Sequence, residues 1–162
     1  MERVLEYDLG EKLYRGKRLE KSVFDDSEWV YGSLIDSGNH SQVAIYPWVR
    51  GASTMGVRQL VNLRMTFVDP DTVGQYTGKD DKNGKPIFEG DIVRPYLESG
   101  NYQGFSWGNM PVVFDDGAFC VKDYRGATMP LRSFDPIVTI EVVGNIHDNP
   151  ELLKEGHNND PR

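Results

Sequence analysis

Short runs of alternating apolar and polar residues, broken by glycine and proline, make up most of this chain. Windows rich in β-branched and aromatic residues with a period near two are typical of strands rather than helices. The 17 glycines and 9 prolines recur at short intervals and leave no window for a long helix. The pattern therefore predicts an all-β, or mainly β, chain. The predicted strands are residues 28–35, 42–49, 61–68, 87–94, 111–114, 118–122 and 138–146.

Two tight turns are predicted between these strands. Asn83 and Gly84 form the strongest short-range turn pair, because both residues accept a positive φ. Asp115, Asp116 and Gly117 lie between two apolar runs and predict a hairpin for the same reason.

One short helix is predicted near the C-terminus. Asn149 is a favourable N-cap residue, and Pro150 has its φ already set for the first helical position. Leu152 and Leu153 supply an apolar face. The residues at 154–162 have almost nothing to bury and predict a flexible tail.

Charged residues and glycines concentrate at residues 70–90, between two strand-rich parts. We therefore expect an N-terminal β region at 1–69, forming a layer in which Trp29 is a core residue. The closely spaced strands of residues 70–153 predict a small SH3-like barrel.

Composition narrows the class of protein further. A chain of 162 residues with a single cysteine, Cys120, predicts a stable domain from a reducing compartment, with the cytoplasm as its expected location. The apolar runs are too short for a membrane span. The net charge of −7 makes nucleic acid an unfavourable partner. The basic cluster of Arg15, Lys17, Arg18 and Lys21 has acidic flanks and is interpreted as a solvated face.

Several motifs recur in a specific order along the chain. Residues 73–78 read VGQYTG, residues 81–85 read DKNGK and residues 87–93 read IFEGDIV. YRGK at 14–17 and EWVYG at 28–32 precede them, and IEVVGNIH at 140–147 and NPE at 149–151 follow. This order resembles that of the YopX-like proteins of bacteriophages and prophages. The resemblance implies a β fold with an SH3-like barrel and a phage or prophage origin, and it brings no catalytic or binding residues with it.

The charged residues give weak support for an enzyme. The turn at 79–84 is similar to a calcium loop, but Lys79 and Gly90 stand where the first and last carboxylates are needed. Five carboxylates are available for a metal-dependent nuclease, although most of them have a structural interpretation at turns. They are Glu89, Asp91, Asp115, Asp116 and Asp123. We therefore assign no catalytic residue, metal or cofactor, and expect Glu89 and Asp91 to support the turn that enters a strand.

The segment at 95–110 is the candidate binding loop. Its glycines permit movement, and its large aromatic side chains are the type that anchors recognition surfaces. These aromatic residues are Tyr96, Tyr102, Phe105 and Trp107. The alternative is a compact loop whose rings fold back to cover the barrel end.

These observations favour a non-enzymatic accessory protein that binds an unknown host or phage protein, through the loop or an exposed sheet edge. A homo-oligomer is left open. The alternatives are a small carboxylate-dependent or metal-dependent enzyme, and a protein that stacks single-stranded nucleic acid on its aromatic rings.

Overall fold

The computed structural model describes residues 12–20, 27–36, 38, 42–47, 65–97, 106–134 and 138–155. The chain divides into two compact units, Met1–Gln75 and Tyr76–Arg162. The fold is mainly β with antiparallel pairing and a short helix, as predicted. The strands are β1 (Tyr14–Lys17), β2 (Trp29–Asp36), β3 (Val43–Pro47), β4 (Thr66–Val68), β5 (Gly74–Asp80), β6 (Pro86–Phe88), β7 (Asp91–Leu97), β8 (Met110–Asp115), β9 (Ala118–Lys122), β10 (Thr128–Pro130) and β11 (Val138–Asn145). The helix α1 is Leu152–Glu155, and 3-10 helices cover Pro70–Thr72 and Leu131–Phe134.

The N-terminal unit contains the strand order β4-β3-β2-β1, and Gly74 and Gln75 at the start of β5 pair with β1. β4 also meets the chain just after β1, where Val68 bridges Arg18. The N–H of Leu19, just after β1, donates to the carbonyl of Phe67 at 3.1 Å. The N–H of Asp69 donates to the carbonyl of Lys17 at 2.8 Å. These bonds close the strands into a small barrel, whose interior is filled by the apolar side chains that β-strand alternation turns inward. The buried core residues are Val30, Val43, Ile45 and Val68.

One glycine is essential to the closeness of β2 and β3. Gly32 lies opposite Pro47, and a Cβ built on Gly32 would lie only 2.0 Å from the carbonyl oxygen of Tyr46. Any side chain at this position would force the two backbones apart, so the sequence needs glycine here.

Two predictions about this unit were wrong. Trp29 is half-buried rather than a core residue, because it lies on the side of β2 opposite to Val30. Arg15 is buried rather than solvated, and its guanidinium lies 4.8 Å from the centroid of the Trp29 ring. The planar cation and the indole ring cover each other, which the charge pattern alone did not reveal. Of the other members of the basic cluster, Lys21 lies outside the described residues.

The C-terminal unit contains a five-stranded sheet with the order β10-β9-β8-β7-β11. The remainder of β5 after Gln75 pairs with β6 in the same unit. A single apolar cluster forms the core, with the 3-10 helix Leu131–Phe134 contributing two buried side chains. The core residues are Ile87, Val93, Met110, Val112, Val121, Leu131, Phe134 and Ile140. The SH3-like barrel assigned to this part of the chain stays a prediction.

The hairpin between β8 and β9 is confirmed. Asp116 and Gly117 have φ values of 47° and 76°, as a two-residue hairpin turn with positive φ at both positions requires. The predicted single strand at 87–94 is wrong, because Gly90 at φ 81° interrupts it and separates β6 from β7.

The predicted C-terminal helix is present, but its start differs from the prediction. Asn149 does not use its side chain as the expected cap, because its Oδ1 accepts a hydrogen bond from the N–H of Asn145 at 3.3 Å. The regular α-helix begins at Leu152, and Lys154 and Glu155 belong to it. The remaining residues of the predicted tail, 156–162, lie outside the described residues.

Candidate functional site

The candidate binding loop is closed at its base. Ser106 pairs with Tyr96 in an isolated antiparallel bridge, and its hydroxyl donates to the carbonyl of Pro95 at 3.1 Å. The N–H of Trp107 donates to the same carbonyl at 3.2 Å. The chain therefore leaves β7 and returns to the same point of the sheet. Of the four predicted binding residues, Tyr102 and Phe105 lie outside the described residues.

Tyr96 lies beside an ion pair at the start of this loop. The Lys82 Nζ is 4.9 Å from the centroid of the Tyr96 ring and 3.0 Å from the Glu141 Oε2. Hydrogen bonding to Tyr96, followed by hydrogen bonding to Glu141, raises the pKa of Lys82 to about 12. Lys82 therefore keeps its positive charge at neutral pH, and the half-buried tyrosine presents a ring with a fixed cation against it.

Trp107 lies at the other end of the loop and has different neighbours. Its ring centroid is 6.4 Å from that of Phe134, with the rings inclined by 65° in an edge-to-face arrangement. Phe134 belongs to the buried core, whereas Trp107 keeps 37% of its surface exposed. Trp107 is therefore anchored to the core on one side and open to solvent on the other.

Asp81, in the charged turn of the sequence motif, has a structural role. Its Oδ1 accepts hydrogen bonds from the N–H groups of Asn83 at 2.8 Å and Lys85 at 2.9 Å. Its Oδ2 accepts a hydrogen bond from the N–H of Val142 at 3.1 Å. The residue is buried, so its carboxylate serves the backbone of the turn and of β11 rather than a calcium ion.

Asp91 also supports a turn. Its side chain is fully buried, and its Oδ2 accepts a hydrogen bond from the N–H of Phe88 at 2.8 Å. The backbone of Gly90 joins the neighbouring strands, because its N–H donates to Val112 and its carbonyl accepts from Ile146, both at 2.9 Å. These contacts agree with the structural role expected for Asp91 at the entrance to β7.

The other carboxylates of the nuclease alternative are dispersed. Asp115 accepts a hydrogen bond from the Thr128 hydroxyl at 2.8 Å. Asp123 accepts hydrogen bonds from the N–H groups of Arg125 and Ala127 and so shapes a turn of its own. Within the described ranges, three or more His, Cys, Asp or Glu side chains do not gather into a group that could hold a metal ion.

Cys120 is a buried residue of β9. Burial raises the pKa of its thiol, and the nearby Asp115 carboxylate is a smaller cause in the same direction. A raised pKa keeps the sulfur protonated at neutral pH, which is the opposite of what a nucleophilic thiol needs. The structure therefore agrees with a small apolar packing role.

Sequence reasoning missed the residues that Tyr96 and Trp107 contact. Lys82 belongs to a charged turn, Glu141 to an alternating strand and Phe134 to a short 3-10 helix, so none of them has a local signal that connects it to the loop. The position of Glu141 near Tyr96 follows from long-range pairing, because Glu141 of β11 lies opposite Arg94 of β7. Lys82 joins them through the bond from its N–H to the carbonyl of Ile140.

No helix within the described ranges combines the length and the hydropathy of a membrane span. Comparison with curated proteins gives no match.

Two further comparisons identify the family and the fold. The crystal structure of protein yopX from Bacillus subtilis is similar to this chain with a TM-score of 0.50 and 22% sequence identity, over 87% of this chain and 97% of that chain. A likeness at this identity shows the fold alone. The family model described as YopX protein matches residues 14–154, which confirms the resemblance carried by the sequence motifs. The chain belongs to the YopX protein family.

Proposed function

We propose that this chain is a phage-type or prophage-type accessory protein that binds a protein partner through the loop between Tyr96 and Trp107, without catalysing a reaction. One observation carries the proposal. Trp107 is fixed to the buried Phe134 ring and still exposes 37% of its surface at the base of an aromatic-rich loop.

The anchoring of the loop favours recognition for a thermodynamic reason. A binding surface that is ordered before it meets its partner loses less conformational entropy on association. The Ser106 hydroxyl and the Trp107 N–H both donate to the carbonyl of Pro95, and these bonds fix both ends of the loop. Tryptophan and tyrosine held in this way are the residue types that most often dominate binding energy.

The buried carboxylates of the family motif also support this proposal, because they have structural roles. Asp81 and Asp91 are the buried carboxylates of the motif, and both accept backbone hydrogen bonds that shape turns. The need to form these turns is sufficient to explain why the motif has aspartate at both positions. Recognition is then assigned to side chains outside these turns.

The experiment compares the proteins captured by four immobilised versions of the full chain. The parent, Tyr102→Ala, Trp107→Ala and Tyr124→Ala are each incubated with lysate from a bacterium that carries a related prophage, and bound proteins are identified by mass spectrometry. Tyr124 is the matched control, because it is an exposed aromatic residue in the turn after β9.

The proposal predicts a protein that the parent and Tyr124→Ala retain and that Tyr102→Ala and Trp107→Ala lose. Circular dichroism and thermal melting establish that each variant is folded. Equal capture by all four folded versions would contradict the proposal. A large fall in melting temperature for Trp107→Ala would instead assign its ring to covering the core.

A further inference from the structure

The turn between β5 and β6 contains the single Asn-Gly pair of the chain, Asn83 followed by Gly84. Both residues are exposed. Among the residues that the structure describes, and apart from the chain neighbours Asn83 and Lys85, no heavy atom lies within 4 Å of the position that a Cβ on Gly84 would take. An asparagine side-chain amide therefore stands in contact with water, next to a backbone nitrogen that no side chain of its own residue crowds.

This combination has the chemistry of spontaneous deamidation, for which water is the only co-reactant. The backbone nitrogen of the glycine attacks Cγ of the asparagine, and its proton passes through solvent to the side-chain nitrogen. The new N–Cγ bond forms, the Cγ–Nδ2 bond breaks and ammonia leaves. One water molecule then opens the resulting succinimide ring. Opening at Cγ gives aspartate, whereas opening at the backbone carbonyl gives isoaspartate, in which the main chain runs through the side-chain carbons.

The folded turn withholds the attacking nitrogen. The N–H of Gly84 donates to the carbonyl of Asp81 at 2.9 Å, and the N–H of Asp81 donates to the carbonyl of Lys85 at 2.8 Å. The N–H groups of Asn83 and Lys85 donate to Oδ1 of Asp81. While these bonds persist, the Gly84 nitrogen keeps its proton and directs it to Asp81. The attack therefore requires a local opening of the turn, and the frequency of opening depends on the bonds to Asp81.

Isoaspartate at position 83 is incompatible with the closed turn. It adds one carbon to the main chain immediately before Gly84. The bonds from the N–H groups of Gly84 and Lys85 to Asp81 both span this added carbon. The product also carries a new carboxylate two residues from Asp81, where like charges repel. A turn that has reacted therefore loses the geometry that previously protected it.

We propose that Asn83 is a site of spontaneous deamidation, that the bonds to Asp81 set its rate, and that the isoaspartate product prevents the turn from closing again. The modification acts once in each molecule and is irreversible without a repair reaction. It does not depend on the binding role proposed for the loop between Tyr96 and Trp107.

The test follows the full chain during incubation at physiological temperature and mildly alkaline pH, with the parent, Asp81→Ala and Glu151→Ala. Digestion with a protease that cuts before aspartate releases residues 81–90, and mass spectrometry of this peptide measures deamidation. The same protease cuts the peptide again at position 83 when the product is aspartate, but not when it is isoaspartate. Asn145, which precedes Ile146, is the internal control asparagine, and Glu151 is the exposed control position.

The proposal predicts that Asn83 deamidates well before Asn145 and yields mainly isoaspartate. Asp81→Ala, while folded, should raise the rate roughly tenfold or more, because backbone bonds that hold the turn are lost, and Glu151→Ala should leave it unchanged. If Asp81→Ala does not fold, a synthetic peptide of residues 79–88 takes its place and should react roughly tenfold or more faster than the folded parent.

The product is tested on the deamidated fraction, separated from the parent by ion exchange. It should melt at a lower temperature than Asn83→Asp, which has the same charge without the added main-chain carbon. Three results would overturn the proposal. They are deamidation of Asn83 no faster than that of Asn145, equal rates in the folded parent and in folded Asp81→Ala or the peptide, and equal melting temperatures for the isoaspartate protein and Asn83→Asp.

Discussion

The carboxylate of Asp81 accepts a hydrogen bond from the N–H of Val142 at 3.1 Å, 61 residues further along the chain. Next to this bond, the N–H of Lys82 donates to the carbonyl of Ile140 at 2.9 Å. The turn that begins at Asp81 is thereby attached to the edge of β11. A sequence motif that is similar to a calcium loop functions here as the closure of a sheet edge.

Asp81→Ala should lower the free energy of unfolding. It removes the acceptor of backbone N–H groups in a buried position, and each unsatisfied group costs about 1–3 kcal/mol. Urea denaturation measures the loss. Glu151→Ala, at an exposed residue before α1, is the control and should change little. Equal stability of the two variants would refute the structural role of Asp81.

Gly32→Ala should destabilise the N-terminal unit because the new Cβ would overlap the carbonyl of Tyr46. Forced separation of packed elements costs about 1–3 kcal/mol or more. Ser33→Ala, at the exposed neighbouring position of β2, provides the comparison. If Gly32→Ala and Ser33→Ala unfold at the same urea concentration, the backbones of β2 and β3 leave room for a side chain at Gly32.

Sequence periodicity predicted the strands that consist mostly of apolar residues. It missed β1, because Arg15 and Lys17 make this segment polar although Arg15 is buried against Trp29. It also missed β5, where glycines and charges were interpreted as a connection. In both strands, pairing across the chain outweighs local propensity, and a single sequence does not contain that information.

Phe134→Ala should cost more stability than Trp29→Ala, although tryptophan is the larger residue. Phe134 is fully surrounded in the C-terminal core, and its truncation should cost about 3–5 kcal/mol. Trp29 is half-buried and stacked against Arg15, so less apolar surface is lost with it. Thermal melting of the two variants ranks them. A larger loss for Trp29→Ala would restore the core role predicted from the sequence.

The Cys120 thiol should react slowly with an aromatic disulfide reagent while the protein is folded. Burial raises its pKa above the ordinary 9.0, so the folded chain holds this proton more tightly than the unfolded chain does. The associated stability is fully present below pH 9.0 and is lost as the pH rises from 9.0 through the higher pKa of the folded protein. Release of the reagent's chromophore should accelerate in guanidinium. Equal rates in the folded and unfolded protein would contradict the burial of this residue.

The candidate site was predictable only in part. The aromatic composition of the loop indicated Tyr96 and Trp107, and strand pairing then gave them different surroundings. Tyr96 lies against Lys82, whereas Trp107 lies against Phe134. These contacts join residues distant in the chain, and local patterns do not encode them.

The most direct test of partner binding is the dissociation constant of the captured protein, measured by calorimetry with the parent, Trp107→Ala and Tyr124→Ala. We predict that Trp107→Ala, while folded, weakens binding by about 2 kcal/mol or more, because the exposed part of an anchored aromatic ring is lost. Tyr124→Ala should bind as the parent does. Equal dissociation constants for the parent and a folded Trp107→Ala would contradict the proposal that the loop is the recognition surface.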